Sequence, residues 1–164
     1  MKIWEFELLI DLSLQQENYT LAFMQFAQML ERLLFWQCEQ KNWRTQGYLS
    51  ESEELLQKGN YRDPTLGVLW QAWAKVEQRS PDDSFVKKLA NVNEYRNGVV
   101  HCNRAISLEE LTKLANVSLE ASPQEIHQGL LEMLRQVLNQ DQQLQKGVAR
   151  SLYEWGLERL QSSA

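Results

Sequence analysis

The sequence predicts a globular, all-α protein, and three observations support this prediction. Only seven Gly and three Pro interrupt 164 residues, while helix-favouring Leu, Gln and Glu are abundant. Apolar residues recur at helical spacing, and no stretch alternates in the manner of a β-strand. The composition, 43% hydrophobic and 24% charged, is that of an ordinary globular protein. We expect a single domain over residues 1–164 that folds without disulfides or a metal.

The first two predicted helices cover residues 2–15 and 19–40, with the segment QENYT as the break between them. The second helix has a wide apolar face, so we expect it to be central in the fold. The members of this face are Phe23, Phe26, Ala27, Leu30, Leu33, Leu34 and Cys38.

The middle of the chain is predicted to contain two further long helices. Residues 42–62 look irregular apart from a short helix over Ser52–Lys58. Asp63-Pro64 then predicts a helix start, with the aspartate as N-cap and the proline at the first helical position. The segment RSPDDS is predicted to be a loop that caps a helix from about Ser84 to Asn103.

The last third of the chain begins with a strong helix-start signal. Ser107 with Glu110 three residues later forms a capping box, and SPQE at residues 122–125 repeats the pattern. The second of these opens a helix to about Asn139, and a final helix is predicted over Gln142–Gln161. The predicted architecture is an up-and-down four-helix bundle with additional short helices.

Cysteine usage and hydropathy exclude several classes of protein. Cys38 and Cys102 are far apart and show no CxxC spacing, so we interpret them as reduced core thiols of a cytoplasmic protein. No apolar run approaches the roughly 18 residues of a membrane span, and no secretory signal is visible. Two His and two Cys without an HExxH motif predict neither a metal site nor a cofactor.

Basic residues are concentrated in one part of an acidic chain. The net charge of −5 argues against a non-specific nucleic-acid coat, although an enzyme acting on nucleic acid remains compatible with it. Residues 84–106, by contrast, carry a local charge of +3. The basic members of this segment are Lys87, Lys88, Arg96 and Arg104, set against Glu94.

The same segment places polar side chains where a helix should contact the bundle. Arg96 and Asn103 fall on the stripe formed by Phe85, Leu89, Val92, Val99 and Ile106. A neighbouring stripe consists of Asn93, Asn97, His101 and Arg104. A guanidinium buried on such a face requires partners. Gly98 within the helix also predicts the close approach of another backbone or of a ligand, because glycine is unfavourable there.

These side chains are suited to phosphodiester chemistry. His101 can transfer protons near neutral pH, Arg96 can hold a phosphate and stabilise charge on phosphorus, and Asn97 can orient either group. Taken singly, each residue is more often structural or solvated, but their grouping favours a functional cluster. The set contains no nucleophile. This favours RNA cleavage, in which the 2′-hydroxyl of the substrate attacks the adjacent phosphate.

The helical geometry adds a condition to this hypothesis. Arg96 and His101 are separated by ~7.5 Å along the axis and ~140° around it, so they diverge on one helix. A second copy related by a two-fold axis would bring two arginines and two histidines around one cleft. The stripe containing Arg96 would then be a dimer seam.

The segment RNGVVH, residues 96–101, resembles the motif of HEPN domains, an arginine and a histidine separated by four to six residues. Residues 11–40 resemble the long second helix of HEPN domains in CRISPR-associated ancillary proteins, and the resemblance extends over about residues 5–140. It implies a HEPN-like helical bundle, a homodimer and metal-independent cleavage of single-stranded RNA in antiviral defence. Arg96 and His101 would be the catalytic residues, with Asn97 as the polar helper.

Further expectations concern the substrate and the partners. Asn93, Arg104 and Lys88 flank the motif and are predicted to bind the RNA. The CRISPR relatives carry an N-terminal Rossmann-like sensor domain, and no strand-rich segment precedes Trp4. The chain is therefore expected to be either the C-terminal domain of a longer protein or a stand-alone protein. Two alternatives stay open: a HEPN toxin paired with an antitoxin, and a non-catalytic helical module for nucleotide or RNA binding or for dimerisation.

Overall fold

The computed structural model of the chain describes residues 3–50 and 63–138. Every regular element in these residues is a helix, and they contain no strand, so the predicted all-α class is confirmed. In chain order the helices are α1 (Ile3–Gln15), α2 (Tyr19–Gln40), α3 (Leu66–Val76), α4 (Ser84–Cys102), α5 (Leu108–Ala115) and α6 (Pro123–Val137). The helices predicted over Ser52–Lys58 and Gln142–Gln161 lie outside the described residues.

The predicted bounds of α1 and α2 agree closely with the structure, and local backbone geometry explains the break. The chain leaves α1 through Glu17, whose φ of 56° lies in the left-handed region. The side-chain oxygen of Asn18 then accepts a hydrogen bond of 3.2 Å from the amide of Leu21. This bond satisfies a free N–H in the first turn of α2, as an N-cap residue does.

Side-chain caps also set the start of the last three described helices. Asp83 precedes α4, and its Oδ1 accepts hydrogen bonds from the amides of Phe85 (2.8 Å) and Val86 (3.1 Å). Hydrogen bonds from these amides lower the pKa of Asp83, because they favour its ionised form. The capping box of Ser107 and Glu110 is confirmed before α5. The hydroxyl of Ser122 caps α6, again as predicted.

The predicted cap of α3 is wrong by two residues. The helix begins at Leu66 and its N-cap is Thr65, which has an extended backbone and makes no side-chain cap hydrogen bond. Asp63 is exposed, whereas the ring of Pro64 is buried. The buried Pro64 thus precedes the helix, and the extended backbone of Thr65 delays the first helical turn to Leu66.

The chain forms two compact units. The first comprises Met1–Phe26 together with Ala105–Ala164. In its described part α6 packs against both α1 and α5. Its buried apolar core includes Phe6, Ile10, Leu14, Phe23, Phe26, Ile106, Leu111, Leu114, Ile126, Leu130, Met133, Leu134 and Val137.

The second unit is Ala27–Arg104, and α3 packs against α4 within it. Its described core includes Leu30, Leu33, Leu34, Trp43, Leu66, Leu69, Trp73, Phe85, Leu89 and Val92. The rings of Trp73 and Phe85 meet edge to face at 5.5 Å, and the guanidinium of Arg79 lies 5.1 Å and 5.6 Å from their centroids. These contacts stabilise the junction of α3 with the start of α4.

Two predictions about exposure have different outcomes. Cys38 is buried, as expected, but Cys102 is exposed, so its prediction as a core thiol is wrong. The physical reason is position, because Cys102 is the last residue of α4, beyond the buried part of that helix.

Among the helices that the structure describes, none combines the length and the apolar character needed to cross a membrane.

The close packing of α5 and α6 depends on Gly129. A Cβ atom at this position would overlap the backbone oxygen of Ala115 and lie 2.9 Å from the Cβ of that residue. Only glycine therefore allows α6 to pass the end of α5 at this distance.

A buried carboxyl group lies on α1. Glu7 is only 7% exposed, and burial raises its pKa from 4.5 to about 7, although the positive charge of Arg135 on α6 opposes the shift. The folded protein binds the proton of the Glu7 carboxyl group more tightly than the unfolded chain does. The contribution of this proton to folding stability is therefore complete below about pH 4.5 and is lost as the pH rises through about 7.

We expect Glu7→Gln to stabilise the protein increasingly as the pH rises from 5 to 8. The amide avoids burying a charge, and the gain at pH 8 should be about 1–3 kcal/mol. Thermal unfolding across this pH range measures it, with the exposed Glu120→Gln as the control. A difference between Glu7→Gln and the wild type that stays constant with pH would contradict the assignment.

Candidate functional site

Arg96 is half-buried on α4 and is held by an acid on α2. Its Nη2 lies 2.8 Å from Oε2 of Glu31, and the two side chains are 27% and 24% exposed. The expectation that a guanidinium on this face needs a partner is therefore confirmed. Burial raises the pKa of Glu31, while the charges of Arg96 and Arg32 oppose the shift.

The sequence contained a signal for Glu31 that the prediction missed. Glu31 lies between Ala27 and Leu34 on the buried face of α2, where an acid is as anomalous as Arg96 is on α4. Two opposite charges that interrupt two apolar faces are expected to pair, since a buried charge needs compensation. Glu31 is therefore part of the candidate site.

Arg96 lines a cavity of about 430 Å³ in the second unit. The other lining residues are Gln28, Glu31, Arg32, Phe35, Asp63 and Pro64. His101, which is among the residues that the structure describes, does not line this cavity. The structure thus associates Arg96 with the α2 side of the unit and does not bring it and His101 of the same chain into one cavity.

His101 lies near the end of α4 on an exposed surface. Asn97 is exposed one turn before it, and Val100 is 55% exposed, a high value for an aliphatic side chain. Residues at a spacing of four lie next to each other on a helix, so Asn97 and His101 share one side of α4. The imidazole is accessible both to a substrate and to a second protein chain.

Arg104 folds back over the end of α4. The chain turns at Asn103, whose φ is 51°, and the amide of Arg104 donates a 3.1 Å hydrogen bond to the oxygen of Gly98. A Cβ on Gly98 would lie 3.0 Å from Cδ of Arg104, and the guanidinium carbon is 4.5 Å from the ring centroid of Tyr95. The close approach predicted from Gly98 is thus provided by this side chain rather than by another backbone or a ligand.

The other predicted substrate-binding residues lie earlier on α4. Asn93 is half-buried against α3, where a Cβ on Gly67 would lie 3.3 Å from its Nδ2. Lys88 is half-buried and lies about 1.4 turns before Asn93. Asn93 is thus directed towards α3. Lys88 lies in the first half of α4, far from the end of the helix that carries His101.

The part of the chain that the structure describes contains no group of three or more His, Cys, Asp and Glu side chains that could hold a metal ion. The chemical groups at the candidate site are the guanidinium of Arg96, the exposed imidazole of His101 and the exposed amide of Asn97. No family model, curated protein or solved structure matches this chain.

Proposed function

We propose that the protein is a HEPN-type endoribonuclease that cleaves single-stranded RNA without a metal ion, at a site built by two copies of the chain. The observation that carries the proposal is the pairing of Arg96 with Glu31 at the edge of a cavity. A guanidinium kept in place before substrate arrives is suited to recognising a phosphate in a defined orientation.

Arg96 and His101 have separate tasks in this reaction. The 2′-hydroxyl attacks the adjacent phosphorus, its proton passes to a base, and the bond to the 5′-oxygen of the next nucleotide breaks. His101 transfers protons in these steps, and Arg96 stabilises the negative charge on the phosphoryl oxygens. The products are a 2′,3′-cyclic phosphate and a 5′-hydroxyl.

The divergence of the two side chains on one helix supports a site shared by two copies. Phe85, Leu89 and Val92 of the Arg96 stripe are buried within the chain, so the contact between copies would lie on another face of α4 than the predicted seam. An exposed face that carries Val100 beside Asn97 and His101 is suited to contact with another copy. In a two-fold arrangement, each imidazole would approach a phosphate held by a guanidinium of the other copy. Arg104, at the end of α4 that carries His101, would contact the RNA outside the reacting group, whereas the positions of Asn93 and Lys88 do not favour their predicted contact with the RNA there. The proposed biological role is antiviral defence linked to CRISPR.

Incubation of the purified protein with single-stranded RNA in EDTA tests the proposal. We expect cleavage by the wild type, fragments ending in 2′,3′-cyclic phosphate, and loss of cleavage in both Arg96→Ala and His101→Ala. Fragments with 3′-hydroxyl ends would contradict the mechanism, because they indicate hydrolysis by an external nucleophile. Absence of cleavage by the wild type would contradict the proposed activity itself.

One observation favours a second candidate. The Glu31–Arg96 pair also satisfies both charges without any ligand, as expected for a non-catalytic helical module that binds RNA or dimerises. Such a module would bind RNA in the same experiment and leave it intact. Growth arrest on expression, relieved by His101→Ala, would instead indicate a toxin of a toxin–antitoxin pair.

A further inference from the structure

We infer that Glu31 is a positioning residue, which holds the guanidinium of Arg96 so that its remaining N–H groups meet the scissile phosphate from the cavity side. This inference rests on the proposed function and adds a residue that the motif in α4 does not contain. Glu31 does not touch the substrate in this arrangement and acts only through Arg96.

The first support is the geometry of the ion pair. An Nη2–Oε2 distance of 2.8 Å is that of a charge-assisted hydrogen bond. Fully exposed ion pairs constrain their side chains weakly because water competes for both partners. Here each side chain is only about a quarter exposed, and the adjacent Leu30 is buried. The carboxylate can therefore keep the guanidinium in one orientation.

The second support is the environment of the guanidinium. It has five N–H donors in a fixed plane, and a bond to one carboxylate oxygen leaves donors for another anion. Arg96 and Glu31 both line the 430 Å³ cavity, a volume typical of small-ligand sites, and Phe35 gives it an apolar wall. The phosphate of a bound nucleotide would meet the remaining N–H groups of Arg96, and the rest of the nucleotide would contact the wall formed by Phe35.

The third support is the charge balance around Glu31. It pairs with Arg96 from α4 and is also affected by the charge of Arg32 on its own helix. Asp63 is the other carboxylate in the cavity lining. Burial outweighs the two arginines and raises the pKa of the carboxyl group. As the pH falls, Glu31 therefore loses its charge earlier than an ordinary glutamate, and its hold on Arg96 weakens. The rate of cleavage should therefore decrease at low pH as Glu31 becomes protonated, and this decrease forms an acidic limb of the pH profile.

Three substitutions at this position separate positioning from simple packing. Glu31→Gln keeps an acceptor of the same size without the charge, and we expect about a 3- to 10-fold lower kcat and no Glu31 limb in the pH profile. Glu31→Asp keeps a titratable group that is one methylene shorter, so kcat should fall while the acidic limb remains. Glu31→Ala should lower kcat about 100-fold, the effect typical of a misplaced catalytic group. KM should change less than kcat in all three.

The experiment measures kcat, KM and the pH profile from 5 to 8 on single-stranded RNA in EDTA, together with thermal unfolding of each variant. Glu39→Gln, an exposed acid on the same helix, is the matched control and should retain wild-type kinetics. If the wild type cleaves RNA and depends on His101, but Glu31→Gln keeps the wild-type kcat and acidic limb, the positioning role is overturned and the proposed function stands. If the wild type does not cleave, both are overturned.

Discussion

Replacing His101 by alanine is expected to lower the rate of RNA cleavage about 100- to 10,000-fold, the usual contribution of a general acid or base. The thermal unfolding temperature should stay unchanged, because the side chain is exposed. Cleavage of a defined single-stranded RNA measures the first effect, and calorimetry measures the second. Cys102→Ser, at the exposed neighbouring position, is the control and should cleave as the wild type does. Equal activity of His101→Ala and the wild type would contradict the assigned role.

His101 gives a cleaner test than Arg96 for a physical reason. Arg96→Ala removes the partner of Glu31 and leaves a half-buried carboxylate without its nearest opposite charge. We expect this variant to lose about 1–3 kcal/mol of folding free energy at neutral pH as well as its activity. A loss of cleavage by His101→Ala at unchanged stability cannot be attributed to unfolding.

The largest loss of stability is expected for Gly129→Ala. Its new methyl group would overlap the backbone oxygen of Ala115, and a backbone atom cannot rotate away as a flexible side chain can. We expect a destabilisation of at least about 3 kcal/mol, which corresponds to a fall in Tm of roughly 10 °C. Thermal unfolding followed by circular dichroism provides the measurement.

Gly67→Ala is the matched control for this experiment. It is also a helical glycine, but its new Cβ would meet the side chain of Asn93 at 3.3 Å, and a side chain can rotate away. The higher helix propensity of alanine partly offsets the remaining contact, so the change should stay within about 1 kcal/mol. Equal stabilities of Gly129→Ala and Gly67→Ala would show that the approach of α5 to α6 is not tight.

Most helix ends were predictable because they are encoded within a few residues. The Ser107–Glu110 capping box and the Ser122 cap depend only on neighbours in the sequence, and both predictions are confirmed. The start of α3 was not predictable in this way. Thr65 precedes the helix without a side-chain cap hydrogen bond, and Pro64 is buried outside the helix, an arrangement that the local sequence pattern does not encode.

The candidate site shows the same division between local and tertiary information. A single helix pattern was enough to predict that Arg96 needs a partner, but the choice of Glu31 depends on how two helices pack. Similarly, Gly98 predicted a close approach, whereas its source, Arg104, requires the left-handed turn at Asn103. The exposure of Cys102 was missed because the buried residues of α4 end at Val92, although the apolar periodicity in the sequence continues to Val99.

The position of Arg104 has a thermodynamic consequence. A free arginine side chain gives up as much as ~2 kcal/mol of rotational entropy when a ligand immobilises it. Here the stacking on Tyr95 and the contact with Gly98 have already restricted that motion in the ligand-free protein. An anion that met this guanidinium would therefore bind with a smaller entropic loss than it would at a lysine or arginine extended into water.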